Sequence, residues 1–408
     1  MSETADFSYD PFDAQVMANP LQHYRILRDD HPLYYMPQWD TFALSRFEDI
    51  WQVLAVNDGT FVASEGTLPP TAVLAKHNTG PVEDPPLHPL PFHAVFDADL
   101  YGEIRRAHSQ PLRPRSVAGL EARIRDLANE RLDVLLPRGS FDLTQEYGGI
   151  VAASMVCGLL GLPDDLASQV LAAVNAGSLA EPGVGVDTAE ARPNYLEFLT
   201  PVVERRRAEK SGAPGLPIVD GLLGYRLPDG SALTDTEAAT QMLCIFIGGT
   251  ETVPKIVAHG LWELSKRPDQ LAAVRANPAT NVPLAREEMI RYCAPAQWFA
   301  RSVRKPHTIH DKTIQPGQRI ITLLASANRD EREYEKPDEF VWDRPIRRSL
   351  AFGRGQHFCI GYHLARLEID VLLAEWLRRV PDYAIQGEIA TRLPSSFQWG
   401  WNKIPVEV

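Results

Sequence analysis

The sequence predicts a mainly α-helical protein with small β regions. Long stretches carry apolar residues at helical spacing in the middle and at the end of the chain, such as Gly119–Leu136. Strand-like segments are short and lie nearer the two ends, and no repeat or Gly/Ser linker divides the chain. We therefore expect one domain spanning residues 1–408.

The strand candidates lie near the N-terminus and in the last third of the chain. "LYYM" and "TFALSRF" stand near the N-terminus, and "HTIHDKTIQPGQRIITLL" follows in the last third, where Pro316 and Gly317 predict the turn of a hairpin. The stretch from Glu65 to Phe96 is rich in Pro and Gly and predicts a long loop. Loops of that length in compact domains are often functional.

The longest helix candidate runs from Thr234 to Arg267. Thr234 and Glu237 form a capping box at its start, and a proline follows its end. Its middle contains Gly248 and Gly249, which are weak helix formers, and a proline one turn later. A buried helix with such residues in its middle usually leaves space there for a ligand or another group.

Composition and charge exclude several classes of protein. The chain has 408 residues, of which 44% are hydrophobic, and its formal net charge of −12 argues against nucleic acid or an anionic membrane as a partner. The acidic, polar N-terminus lacks a signal-peptide pattern, and no apolar run approaches the ~18–20 residues of a membrane span. We expect a soluble cytoplasmic protein.

Four cysteines occur, and one of them has an unusual setting. Their wide spacing supports neither a zinc ribbon nor a disulfide framework. Cys359 lies in "AFGRGQHFCIGYHLARL", among glycines and just before a predicted helix from about Ile360 to Val380. The thiol could be an inert core residue, a nucleophile or a metal ligand. Backbone N–H groups and the helix dipole would favour the thiolate, which an axial ligand of haem iron requires.

The Cys359 segment resembles the haem-binding signature F-x-x-G-x-R/H-x-C-x-G of the cytochrome P-450 superfamily. Phe352, Gly355, His357, Cys359 and Gly361 match it. Three further motifs of that superfamily are similar to segments upstream, in the right order: "GGTET", the E-x-x-R pair Glu288 and Arg291, and Arg344 in "FVWDRP". The resemblance covers roughly residues 97 to 361 and points to a bacterial soluble member.

The resemblance implies a cytochrome P-450 fold with haem b between a distal and a proximal helix, and Cys359 as the axial ligand of the iron. It makes Glu288, Arg291 and Arg344 a folding triad, and it implies that Phe352, Gly353, Gly361, Gly248 and Gly249 surround the cofactor. The propionates would be bound by Arg301, His357, Arg105 and Tyr101. Here the chain departs from the family pattern D-P-P-x-H-T-R-x-R-R, since "DADLYGEIRR" has Tyr101 where a histidine is usual. A second candidate register, "DPPLH" at Asp84–His88, has Phe92 where the arginine should be.

The resemblance further implies that Thr252 and Glu251 deliver protons to dioxygen. Cys244, Gly248 and Thr252 are four residues apart and share a helix face, and the two glycines would open space for the gas. Alternatively, Thr252 bonds back to a helical carbonyl and Glu251 is a solvated surface residue. The expected reaction inserts one oxygen atom into a C–H bond, giving hydroxylation or O-demethylation.

The family's substrate-contact regions fall on mostly apolar and aromatic residues here, with few basic ones. We therefore expect a small, neutral, apolar or aromatic substrate. The candidate contacts are Cys244, Ile245, Ala296, Gln297, Trp298, Phe299, Phe397, Gln398, Phe92 and Phe96, with Trp399 and Trp401 beside them.

No flavin or Fe–S segment is evident, so the electrons are expected from a separate ferredoxin or flavodoxin with an NAD(P)H-dependent reductase. Its docking patch is predicted at Arg105, Arg106, Arg113, Arg115, Arg347, Arg348, Arg354 and Arg366. The alternatives are a haem-thiolate peroxygenase or isomerase and a non-catalytic haem sensor. Intact Glu251 and Thr252 argue against them.

Overall fold

The computed structural model of the protein describes residues 7–77, 80, 82–185, 188–209 and 214–408. Within these ranges the helices are α1 (Ala14–Ala18), α2 (Leu21–Asp30), α3 (Phe47–Val53), α4 (Thr71–Leu74), α5 (Ala98–Ser109), α6 (Pro114–Ala118), α7 (Glu121–Leu135), α8 (Ile150–Leu160), α9 (Ala167–Gly177), α10 (Thr188–Ala208), α11 (Pro217–Gly224), α12 (Asp235–Ser265), α13 (Pro268–Ala276), α14 (Pro278–Cys293), α15 (Leu324–Ala327) and α16 (Tyr362–Arg379). A π-helical turn, Leu143–Gly149, precedes α8.

The strands are β1 (Leu33–Met36), β2 (Thr41–Leu44), β3 (Phe61–Val62), β4 (Ser140–Asp142), β5 (Trp298–Val303), β6 (His307–Ile309), β7 (Lys312–Ile314), β8 (Arg319–Leu323), β9 (Ala384–Ile385), β10 (Thr391–Arg392), β11 (Trp401–Lys403) and β12 (Pro405–Glu407). The largest sheet has the order β1-β2-β8-β5-β3, and the others have three or two strands. The prediction of a mainly helical fold with small β regions is confirmed.

The prediction of a hairpin turn at Pro316 and Gly317 is wrong. The hairpin is formed by β6 and β7, whereas β8 pairs with β2 and β5. Pro316 and Gly317 do form a tight turn, in which Gln318 N donates to Gln315 O at 3.1 Å and Gly317 has a φ of +92°. This turn leads the chain from the β6–β7 hairpin into another sheet, in which β8 lies between β2 and β5.

The long helix α12 lies at the centre of the main core and contacts most of the other long helices. Its start has the predicted capping box: Thr234 Oγ1 accepts from Glu237 N, and Glu237 Oε2 accepts from Thr234 N at 2.8 Å. The same glutamate accepts from Leu90 N at 2.7 Å. The capping box therefore also attaches the predicted long loop, in which only α4 and a 3-10 turn at His93–Val95 are helical among the residues described.

The predicted triad of charges is assembled in the core. Arg291 grips both oxygens of Glu288, at 2.7 and 2.8 Å, and Arg344 Nε lies 3.1 Å from Glu288 Oε2. Glu288 is fully buried, and the remaining guanidinium protons go to backbone carbonyls. A buried ion pair of this kind needs complete hydrogen bonding to offset its loss of water. The triad thereby fixes α14 against the segment that precedes the cysteine loop. No helix in the described parts of the chain is both long and apolar enough to cross a membrane.

Candidate functional site

One face of α12 is partly accessible, which indicates a cavity beside it. Most of this helix is buried, but Cys244 and Thr252 are partly accessible and Gly248 is exposed, and the three are spaced four residues apart. A Cβ built on Gly248 would meet nothing within 4 Å. The two glycines differ, however, because a Cβ on Gly249 would lie 2.7 Å from Val156 Cγ2. Gly248 therefore opens onto the cavity, as predicted, whereas Gly249 permits close packing against α8.

The cysteine loop is folded tightly by its glycines. Gly353 and Gly355 have φ angles of +68° and +73°, and a Cβ at Gly355 would clash with the carbonyl of Leu54. Cys359 N donates to Phe352 O at 2.9 Å and closes the loop. Burial raises the pKa of the Cys359 thiol, and the N–H of Gly361 points toward the sulfur and opposes that rise. The loop thus presents a partly accessible sulfur just before α16.

Two guanidinium groups near this loop, those of Arg301 and Arg105, form no ion pair with a carboxylate of the described residues. Arg301 is buried on β5, and its Nη1 donates to Ala300 O at 2.7 Å. Burial lowers its pKa. Arg105, on α5, donates to Tyr101 Oη at 2.8 Å and to Phe358 O at 2.6 Å. A buried cation is costly unless an anion pairs with it, so this region is built to receive negative charge.

His357 lies on the same side of the site as these guanidinium groups. Its Nε2 lies 2.9 Å from Asp97 Oδ1, and its ring is 4.2 Å from the ring of Tyr101. A cavity lined in part by Asp97, Arg301 and His357 opens beside these groups. Burial lowers the pKa of His357, while the hydrogen bond to Asp97 opposes that shift. The register ending in Arg105 therefore brings Tyr101, Arg105, Arg301 and His357 to one place, as the sequence predicted.

The chemistry of these groups fits haem. Gly248 opens one face of α12 toward the cavity, and the Cys359 sulfur lies in a loop with the N–H of Gly361 directed at it. The guanidinium groups of Arg301 and Arg105 are available to bind anions such as the propionates. Thiolate is a strong donor to haem iron, and cations at the rim offset carboxylate charge. The fold and site define a haem-thiolate protein.

The comparisons with known proteins agree. The family model described as Cytochrome P450 matches residues 184–380. Putative cytochrome P450 123 of Mycobacterium tuberculosis is 30% identical over 400 residues, covering 98% of this chain and 96% of the relative. Cytochrome P450 CYP109Q5 from Chondromyces apiculatus has a similar structure, with a TM-score of 0.80, 28% identity and coverage of 98% and 97% of the two chains. A mutant of P450 EryK in complex with erythromycin B has a TM-score of 0.81, 26% identity and 96% coverage of each chain.

The chain belongs to the cytochrome P450 family. It is a haem-thiolate monooxygenase whose cofactor is haem b. The predictions of the fold, the cofactor and the class of enzyme are confirmed, whereas the roles of individual residues are not tested by these comparisons.

Of the two alternatives considered for Glu251, the solvated surface residue is wrong. Glu251 is buried and does not lie on a solvated face. Its Oε2 accepts from Ser178 Oγ at 2.8 Å and lies 3.2 Å from Lys255 Nζ, and its Oε1 accepts from the amide of Gln398. Thr252 Oγ1 donates to Gly248 O at 3.0 Å, as in the alternative reading of that residue. Sequence reasoning missed Ser178 and Lys255, although Lys255 follows Glu251 by four residues, a spacing that brings side chains together on a helix.

The residues predicted to contact substrate fall into two groups. Phe92, Cys244, Ala296, Phe299 and Phe397 remain partly accessible, and the rings of Phe299 and Phe397 are 5.4 Å apart. Ile245 and Phe96 are buried in the main core.

Three of these predictions, for Gln297, Trp298 and Gln398, are corrected by the structure, because the polar atoms of these side chains are bonded elsewhere. Gln297 accepts from Tyr24 Oη at 2.6 Å and donates to Ser396 O, and Trp298 donates to the same carbonyl at 2.9 Å and packs in the N-terminal core. Gln398 is bonded to Glu251, and Trp399 and Trp401 enclose Arg392, whose guanidinium lies 3.9 and 4.0 Å from their rings.

Proposed function

We propose that this monooxygenase inserts one oxygen atom into a small, neutral, apolar or aromatic molecule, by hydroxylation or O-demethylation. The observation that carries this proposal is the apolar character of the accessible residues in the predicted contact regions: Cys244, Ile247 and Gly248 on α12, and the Phe299–Phe397 pair. None of these side chains is charged, so a charged substrate would lose water without gaining a partner. We also propose that residues 1–408 form a single domain and act in the cytoplasm, where NAD(P)H is supplied.

The residues toward the cofactor have separate tasks in this proposal. Cys359 ligates the iron, and Arg301, Arg105, Tyr101 and His357 bind the propionates. Phe352, Gly353 and Gly361 support one face of the ring, and Gly248 leaves room on the other. The bound haem supplies dioxygen activation, driven by electron donation from the thiolate.

Carbon monoxide tests the cysteine. The reduced protein with carbon monoxide should absorb at about 450 nm, as thiolate ligation implies. Cys359→His should abolish this band while haem remains bound. A band that persists in the variant would show that another residue ligates the iron.

The proposed task of Thr252 and Glu251 is to hold and move protons on the oxygen side. Thr252 Oγ1 can turn from Gly248 O to donate into the cavity, and Glu251 can pass a proton only if it loosens from Ser178, Lys255 or Gln398. Thr252→Ala should leave haem content and NAD(P)H consumption largely intact but release more hydrogen peroxide and less oxygenated product. Glu251→Gln should slow consumption itself, by about 10²–10⁴-fold. Full coupling in Thr252→Ala would exclude this role for Thr252.

We further propose that a ferredoxin or flavodoxin, reduced by an NAD(P)H-dependent reductase, docks on exposed arginines. Part of the predicted patch is already neutralised, since Arg348 pairs with Glu48 and Glu333, and Arg366 pairs with Glu287. The remaining exposed members pair with no acid in the described chain, and we call them the arginine patch: Arg106, Arg113, Arg115 and Arg347.

Salt and charge reversal test the arginine patch. Turnover with an acidic ferredoxin should slow as salt rises, because exposed charges are screened beyond about 10 Å at 0.1 M. Arg113→Glu should raise the Michaelis constant for the ferredoxin without changing substrate binding. Arg25→Glu on α2, outside the patch, makes the same change in net charge and is the matched control. Equal effects of the two variants would show that only the net charge of the protein matters, and they would contradict docking at the arginine patch.

A further inference from the structure

Three side chains with metal-ligating atoms meet beside the cavity, apart from the cysteine loop. They are His93 in the loop before α5, His108 on α5 and Cys244 on α12. One ligand atom from each lies within 4.8 Å of the other two. His93 and His108 are buried and Cys244 is partly accessible. The cluster joins three separate elements of the fold.

The hydrogen bonds of the two histidines leave their Nε2 atoms free to act as ligands. His108 Nδ1 lies 2.7 Å from Ile104 O, and His93 Nδ1 lies 3.2 Å from Gln241 Oε1. Both partners are acceptors, so each Nδ1 carries the proton and each Nε2 carries the lone pair. A hydrogen bond of this kind, on the nitrogen remote from the ion, orients histidines in metal sites.

The distances suit a tetrahedral ion. With Zn–N of about 2.0–2.1 Å and Zn–S of about 2.3 Å, nitrogen and sulfur ligands of one zinc ion stand about 3.5 Å apart. His108 Nε2 and Cys244 Sγ are 3.6 Å apart. The other separations between ligand atoms are no larger than 4.8 Å, so a movement of about 1 Å brings all three atoms to the spacing of zinc ligands. Arg105 is the nearby cation, and its guanidinium is directed at Tyr101 and Phe358 O.

We propose that His93, His108 and Cys244 bind one zinc ion in the wall of the haem cavity. Two imidazoles and one thiolate are ligands that zinc accepts, and three protein ligands leave a fourth position for water or another small donor. Because the ligands come from the loop and from two helices, the ion would connect the loop to α5 and α12. The site is distinct from Cys359 and needs no haem chemistry.

Zinc binding to the haem-loaded protein tests this proposal. After chelator treatment and addition of zinc sulfate, metal analysis of the gel-filtered protein should find one zinc per chain. Cys244→Ser and His108→Gln should each weaken this binding at least tenfold, while Cys157→Ala, which changes a buried cysteine on α8, should retain it. Haem content and the carbon monoxide spectrum of each variant report whether it has folded.

Two measurements on the wild type remain informative if a variant fails to fold. X-ray absorption at the zinc edge should show one sulfur at about 2.3 Å and two nitrogens at about 2.0–2.1 Å. Zinc should also slow the alkylation of Cys244 by iodoacetamide, read by mass spectrometry of its peptide. Zinc surrounded by oxygen and nitrogen alone, unchanged alkylation of Cys244, or equal binding by wild type and Cys244→Ser would each overturn the proposal. In that case the 3.6 Å contact is a thiol–imidazole hydrogen bond only.

Discussion

Alanine at Gly248 and at Gly249 should have opposite effects on stability. Both residues lie within α12, where replacing glycine by alanine favours the helix by about 0.8–1.0 kcal/mol. At Gly248 the new methyl group meets nothing within 4 Å, so most of that gain should appear in the free energy of unfolding. At Gly249 the methyl carbon would stand 2.7 Å from Val156 Cγ2, well inside the ordinary contact distance of about 3.5–4.0 Å.

Relieving that clash requires α12 and α8 to separate by roughly 1 Å or Val156 to change rotamer. Overpacking of this kind costs about 1–3 kcal/mol, which exceeds the helix gain or cancels it. We therefore expect Gly249→Ala to be less stable than Gly248→Ala by about 1–3 kcal/mol. At roughly 2.1 cal/mol/K per residue, each kcal/mol shifts the melting temperature of this chain by only about 1 °C, so urea titration is the better assay.

The assay is equilibrium urea unfolding of the haem-free variants, in which the space beside Gly248 is open, followed by tryptophan fluorescence and checked for reversibility. Val156→Ala is the matched control because it removes the γ-methyl groups that Gly249→Ala would strike. In the double variant the two changes should be coupled by about 0.5–3 kcal/mol in the favourable direction. Equal stability of the two alanine variants, or additive effects with Val156→Ala, would refute the assignment of Gly249 to helix packing.

Three other predictions concern buried charges. Burial raises the pKa of Glu368 from 4.5 to about 8, so between these values the folded state holds a proton that the unfolded state has lost. The free energy of unfolding should fall as pH rises through this window, by at most about 1.4 kcal/mol per pH unit, and Glu368→Gln should flatten the dependence of the urea midpoint on pH. Lys255→Met leaves buried Glu251 without its cation and should cost about 3–5 kcal/mol, most of which Glu251→Gln in the same chain should restore. Arg291→Lys should destabilise almost as much as Arg291→Met in thermal unfolding, because lysine cannot reproduce the two-pronged grip on Glu288.

Local patterns in the sequence were sufficient to predict the tight glycine-rich loop at Cys359, the capping box and the open side of α12, whereas the role of Cys359 was implied by the resemblance to the cytochrome P-450 family. Each of these depends on residues a few positions apart, so the spacing itself fixes the geometry. The four-residue interval of Cys244, Gly248 and Thr252 places them on one face of any helix, and positive φ angles at Gly353 and Gly355 follow from the tight loop. The folding triad was predicted because its members belong to known motifs rather than from spacing alone.

The tertiary structure decided every feature that joins distant segments. Glu251 is held by Ser178 and Gln398, which lie 73 and 147 positions away, so only the pairing with Lys255, four residues on, had a local signal. Gln297 and Trp298 carry the composition of a binding pocket, yet Tyr24 and Ser396 take their polar atoms. The choice between cavity and core is set by which other elements arrive against a residue.

The turn at Pro316 and Gly317 illustrates the same division. Its residues fix a tight turn, because proline restricts φ and Gly317 adopts a φ of +92°. They do not fix which strand follows as a partner. β8 pairs with β2 and β5 rather than with β7. In the largest sheet it has a neighbouring strand on both edges, and all five of its residues are buried. The sequence by itself determined the tight turn, the glycine-rich loop before α16 and the open face of α12, through interactions within a few residues. The tertiary structure determined the strand order, the partners of Glu251 and the lining of the cavity, because those depend on contacts between segments far apart in the chain.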